Sequence, residues 1–284
     1  MSFRNDYFKY AESIDYANSD YTNGFDFVEK SPVEIKSLFH EVLENGMHGI
    51  CFSLYEDGQK PGDSISEEQV RRRMKIIAPY TKWVRSFSCT EGNEFIPKIA
   101  REFGLKTLVG AWLGDDAEKN ENEIEALIQL SKEGFVDIAA VGNEVMYRKD
   151  LTEDELLEFI ETVKAAIPEH IPVGYVDAYY EFTIKPRITE ACDVILTNCY
   201  PYWEGSTIEY SLAHMKNMFY QASGAGFGKK VIITETGWPS KGQSIEGSNP
   251  SYFNALKYFI LSQLWLKSSS IESFYFSSFD EAWK

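Results

Sequence analysis

The sequence predicts an α/β protein folded as a single-domain (β/α)8 TIM barrel, and three observations carry that expectation. From Gly49 onward, short β-branched or aromatic runs alternate with amphipathic segments of roughly 10–18 residues, the sequence form of repeated βα units. Eight such runs can be counted, and 284 residues suits one barrel of about 250. No G-x-G-x-x-G or phosphate-cradling loop appears, so an open nucleotide-binding sheet lacks its chemistry.

Along the chain, residues 1–48 are expected to form an irregular polar segment plus one helix, and residues 49–284 the barrel. SPVEIKSLFHEVLEN (31–45) reads as that helix, with Ser31 as cap, Glu34 completing a capping box and Gly46 just past the end. The strand runs are GICFSLY from 49, KWVRSFSC from 82, KTLVGAWL from 106, VDIAAVGNEV from 136 and a fifth around Val173. DVILTNCYPYW from 193, KVIITETGW from 230 and ESFYFSSFDEAW from 272 complete the eight. Between them, Thr152 and Glu155 form a second capping box ahead of Leu156, Ile160, Val163 and Ile167, which repeat at helical spacing. EFIPKIAREFG and EIEALIQLSKEG end at Gly104 and Gly134, each followed directly by a strand, as left-handed C-terminal caps require. Seven helices follow seven strands. The final helix is missing from this chain, and residues 31–45 are a candidate for its place.

Forty-four acidic against 28 basic residues give a formal charge of −16, which repels phosphate backbones and anionic lipid. Nucleic acid is excluded as a partner, and no run of about 18 apolar residues offers membrane insertion. A neutral polysaccharide is the easier fit, and 17 Tyr with 6 Trp suit the apolar C–H faces of pyranose rings. Cysteines at 51, 89, 192 and 199 have no metal-ligand spacing, and the four histidines do not cluster. Three of those cysteines lie in apolar runs and read as buried free thiols. No metal, no cofactor and a monomeric state are expected. The first twenty residues lack an apolar signal core. A secreted, periplasmic or cell-surface location is expected, after removal of a leader not present in this chain.

Barrel enzymes place their chemistry at the carboxyl ends of the strands. There the fourth run passes from IAAV into Gly142, Asn143 and Glu144, and the seventh from VIIT into Glu235, Thr236, Gly237 and Trp238. A lone strand-end glutamate is commonly the first solvated residue of a loop. A pair is what glycoside hydrolysis needs.

These residues resemble glycoside hydrolase family 17, known for β-1,3-glucanases and β-1,3-1,4-glucanases. The matching motifs are VGNEV (141–145), NCYPYW (198–203), ITETGWPS (233–240) and FDEAWK (279–284). The resemblance implies a retaining hydrolase of β-1,3-glucan with Glu144 as general acid/base and Glu235 as nucleophile. It also implies that Glu281 and Lys284 help bind or orient substrate. Oligo- or polymeric neutral β-glucan is then the partner.

Supporting groups follow from position. Asn143 is placed to reach the 2-hydroxyl of the sugar under attack; Tyr200 and Arg85 can donate to the Glu235 carboxylate. Trp203 and Trp238, just beyond strand ends, are candidate sugar platforms, with Trp112, Tyr55 and Tyr202 further along the groove. Moderate loops after the first and seventh strands favour an open, endo-accessible cleft. Transglycosylation and mixed-linkage cleavage share the two glutamates and stay open; a non-catalytic carbohydrate-binding barrel is a more distant alternative.

Overall fold

The computed structural model describes residues 27–281. Eight parallel strands form a closed barrel in sequence order: β1 (Met47–Cys51), β2 (Thr81–Ser86), β3 (Lys106–Ala111), β4 (Ile138–Asn143), β5 (Val173–Ala178), β6 (Val194–Asn198), β7 (Lys230–Thr236) and β8 (Ser273–Tyr275). The helices are α1 (Pro32–Glu44), α2 (Glu67–Ile77), α3 (Phe95–Glu102), α4 (Ala117–Lys132), α5 (Val145–Arg148), α6 (Glu153–Ala166), α7 (Glu181–Ile184), α8 (Pro186–Ala191), α9 (Ser211–Ala225) and α10 (Tyr252–Ser268). The expected (β/α)8 barrel is therefore present. The described residues divide into two compact units, one of residues 43–199, 218–236 and 271–281 and the other of 27–42, 200–217 and 237–270.

The first unit contains every strand. β1 pairs with β8 through Gly49↔Phe274 and Ile50↔Tyr275, which closes the sheet. A side chain at Gly49 would place its Cβ 2.5 Å from the Phe274 ring, so only glycine lets that ring fill the barrel floor. Above it Leu108, Ala140, Val176, Leu196 and Ile232, one from each of five strands, are buried together. Each of the four larger ones, Ala140 apart, contributes roughly 1.5–3 kcal/mol by leaving water. β1 begins at Met47, two residues before the apolar run expected there, because Met47 already pairs with Thr81. The strands also end sooner than their apolar runs, because β structure lasts only as long as the ladder to a neighbour.

Helix punctuation follows the sequence. Thr152 and Glu155 make a reciprocal capping box on α6, and Gly104 and Gly134 take φ of +71° and +83° after α3 and α4. All four cysteines are buried free thiols.

In the second unit α1 starts with the other expected capping box, Ser31 N–H donating to Glu34 Oε2 at 2.8 Å. Phe39 of α1 packs against Phe259 of α10 with ring centroids 4.9 Å apart. The segment 237–251 is pinned by Tyr202 Oη donating to the Gln243 carbonyl at 2.5 Å and Trp238 Nε1 donating to the Asn249 carbonyl at 3.1 Å. Among the described residues no helix is long and apolar enough to cross a membrane.

Candidate active site

β4 ends in two left-handed residues separated by Asn143. Gly142 has φ +86°, and a Cβ there would lie 2.9 Å from Val145 Cγ2. Glu144 follows at φ +53°, ψ +29°, a conformation costing a non-glycine residue about 1–2 kcal/mol. It is held by its own N–H, which donates to the Val176 carbonyl at 2.7 Å. The β4–β5 register shifts between Ala140 and Asn143 at this point. A second shift lies between Thr197 and Asn198, where Asn198 comes to pair with Glu235. Both glutamates thus stand where a strand is irregular, a device that re-aims side chains at barrel rims.

β4 and β7 are not ladder neighbours, yet one side chain from β6 joins their carboxylates. Asn198 Nδ2 donates to Glu144 Oε1 at 2.9 Å and to Glu235 Oε1 at 3.2 Å. Its amide oxygen accepts from Thr234 Oγ1 at 2.8 Å, which fixes the flip of the amide. From β2, Arg85 donates through Nη1 to Glu235 Oε1 at 2.7 Å and through Nη2 to Asn143 Oδ1 at 2.6 Å. Its guanidinium carbon also lies 4.2 Å from the Phe87 ring centroid. Arg85 is 1% exposed, Glu235 6% and Asn143 7%, so this charge network works with little water to screen it.

The two carboxyls have different surroundings. Burial, and then the negative charge of Glu235, push the Glu144 carboxyl above its ordinary pKa; the Asn198 bond and the Arg85 and Arg148 charges oppose this only in part. Glu235 carries the direct ion pair with Arg85. The two carboxyls therefore sit in unlike electrostatic settings, Glu144 biased toward its protonated form and Glu235 facing a fixed cation, an asymmetry that acid–nucleophile chemistry can use.

The other residues singled out in the sequence separate into groups. Glu281 is half-buried and accepts from Ser53 Oγ at 2.8 Å; the pKa of the Tyr55 phenol is raised chiefly by its own burial, against a bond with Asn93 and with the Glu281 charge adding to the rise. Trp112 is 43% exposed, with the Arg148 guanidinium 4.6 Å from its ring centroid and its main-chain N–H donating to Glu123 Oε2 at 2.9 Å. Lys284 lies outside the described residues. Tyr200, Tyr202, Trp203 and Trp238 belong to the second unit. There Trp203 is exposed, with its ring edge to face with Tyr202 at 5.2 Å. Tyr202 and Trp238 differ from the expectation of groove-lining platforms: both are buried, edge to face at 5.2 Å, and their polar tips are bonded within the same unit.

Sequence reasoning passed over Asn198, although NCYPYW was in view, and over Asp177 and Tyr175 on β5. The signal was available. Asn198 and Asp177 are polar residues closing apolar strands, as Glu144 is. A groove of about 530 Å³ lined by Trp83, Lys106 and His170 lies at the amino ends of the strands. It holds no paired carboxylates, and its Asp137 is tied to Arg101 at 2.8 Å.

Comparison with known proteins is consistent with this geometry. A family profile described as the BtgE/BtgC glycoside hydrolase domain matches residues 49–284. A glucan 1,3-β-glucosidase of Schizosaccharomyces pombe is 27% identical over 282 residues, covering 90% of this chain and 85% of that protein. A glucan endo-1,3-β-glucosidase of Emericella nidulans is 24% identical, over 93% of this chain but 45% of that protein. Among solved structures, a glycoside hydrolase family 17 β-1,3-glucanosyltransferase from Rhizomucor miehei is 30% identical with a TM-score of 0.75, over 84% of this chain and 90% of that one.

Proposed function

Since the chain belongs to the BtgE/BtgC glycoside hydrolase domain family and to glycoside hydrolase family 17, we propose that it cleaves β-1,3-glucan internally by a retaining double displacement. The observation that carries the stereochemistry is the shared Asn198 nitrogen. Bonds of 2.9 and 3.2 Å from one atom keep the two Oε1 atoms within about 6 Å of each other, a closeness that suits the ~5–5.5 Å of a retaining pair and leaves little room for the water of an inverting one.

Glu144 gives its proton to the glycosidic oxygen as Glu235 attacks the anomeric carbon, so the leaving sugar departs with its hydroxyl restored and a glycosyl ester forms. Water then gives a proton to Glu144 while its oxygen takes the anomeric carbon, and Glu235 leaves as carboxylate. Arg85 stabilises Glu235 whenever it is ionised, and Asn143, fixed by Arg85, is the donor available to the sugar 2-hydroxyl. Asn198 reaches whichever carboxylate is charged, so one donor serves both half-reactions. A substrate polymer does not cross a membrane, and the proposed place of action is outside the cell or at its surface.

Glu235→Ala and Glu144→Gln should each lose most release of reducing sugar from laminarin; Glu144→Gln should keep the wild-type melting curve, whereas Glu235→Ala, which strands the buried Arg85 charge, should stay folded but melt lower. Full activity in Glu235→Ala overturns the mechanism. Glucanosyl transfer is a second reading, supported by the 30% identical transferase. Chromatography of laminari-oligosaccharide digests separates the two, because transfer yields products longer than the starting sugar.

A further inference from the structure

The N–H groups that open a helix need acceptors, which a short polar side chain at the cap position commonly supplies. Glu144 occupies that position on α5, in the left-handed region, and makes no such bond. The N–H groups it would take are already occupied from the neighbouring strand. Met146 N–H donates to Tyr175 Oη at 2.8 Å and Tyr147 N–H to Asp177 Oδ2 at 3.3 Å. Tyr175 Oη in turn donates to Asp177 Oδ2, and Asp177 Oδ1 accepts from Ala178 N–H at 2.7 Å. Tyr175 is 1% exposed and Asp177 is fully buried, so no water competes for these bonds.

We infer that Tyr175 and Asp177 are positioning residues that cap α5 in place of Glu144 and thereby leave the Glu144 carboxyl free to act on substrate. This rests on Glu144 being the acid/base. Without the pair, the N–H groups of Met146 and Tyr147 lose their acceptors, and the turn that carries Glu144 loses its anchor beside the site. Burial above all pushes the Asp177 carboxyl up to about 7, with the Tyr175 and Ala178 bonds opposing and the charges of Glu181 on α7 and of Glu144 adding to the rise. On the β6 side its strand partner region ends in Asn198, which is uncharged. Both Asp177 oxygens act as acceptors, and asparagine keeps one of them.

The test compares two substrates that differ in their need for an acid. Laminarin has a poor leaving group; 2,4-dinitrophenyl β-laminaribioside departs without protonation. Asp177→Leu and Tyr175→Phe should lose about 10-fold or more in kcat/KM on laminarin and less than about 2-fold on the aryl glycoside. Asp177→Asn, which keeps an acceptor oxygen, should recover to within about 3-fold of wild type on laminarin. Titration with a 2-fluoro-glycoside inactivator, which labels Glu235, counts correctly folded sites in each variant. Equal losses on both substrates per folded site, or no loss on either, overturn the inference. Glu144→Gln, run in parallel, separates the two levels. If it keeps its laminarin activity, the acid assignment itself is wrong; if it alone shows the leaving-group-dependent loss, only the positioning role is wrong.

Discussion

At the carboxyl ends of the strands, Arg85 and Glu235 form an ion pair at 2.7 Å with side chains 2% and 8% exposed. At the amino ends, Glu272 pairs with Lys230 at 2.7 Å and His48 at 3.5 Å, but these side chains are 32%, 55% and 21% exposed. The distances are similar and the settings are not. A buried pair gains its strength only while complete, because removing one partner strands a charge away from water. A half-solvated pair is screened, and water takes over when a partner is lost. Proximity alone therefore does not rank the two clusters; the water each one excludes does.

The largest expected effect follows from breaking the buried cluster. Arg85→Met leaves Glu235 uncompensated and Asn143 without its donor, and should lower unfolding stability by about 3–5 kcal/mol in urea titrations, together with activity. An unchanged midpoint breaks the comparison at its stronger end. Asn198→Ala is the intermediate case, removing a neutral donor that both carboxylates use. It should lower kcat by roughly 10–100-fold, with a stability loss of about 1–2 kcal/mol, and a larger stability than activity effect would count against the bridging role.

Glu272→Gln is the smallest, within about 1 kcal/mol at neutral pH. The sign of its pH dependence sharpens the contrast. The His48 bond, followed by the Lys230 bond, lowers the Glu272 carboxyl to about 2 against the opposing effect of burial. Its contribution is thus fully present above the unfolded carboxylate value of about 4.3 and fades as pH falls through the folded value. Melting temperatures of wild type and variant should differ at pH 6 and converge near pH 2.

Much of this architecture was legible in the chain. The alternation of runs gives eight strands, and Thr152 with Glu155, Ser31 with Glu34, and the glycines at 104 and 134 mark helix ends because their chemistry is local. Glu144 and Glu235 were found by one rule, a polar residue closing an apolar strand. The same rule reaches Asn198 and Asp177, but carboxylate pairing drew attention to the charged members and left the donors that organise them unread. The aromatic residues were less legible. Trp203 and Trp238 stand in equivalent sequence positions, yet Trp203 is 56% exposed and Trp238 5%, because the return of segment 237–251 is a tertiary event that periodicity does not encode.

The bracket around α5 has a consequence for how the loops can vary. Left-handed residues stand at both of its ends, Glu144 before and Lys149 after, and Arg148 anchors it again through Nη2 to the Leu113 carbonyl at 2.7 Å. A four-residue clip fastened at each end and along its side isolates Glu144 from the chain that follows. Segments beyond Lys149 can lengthen or shorten without a mechanical pull reaching the carboxyl, so the rim is free to diversify around a fixed Glu144.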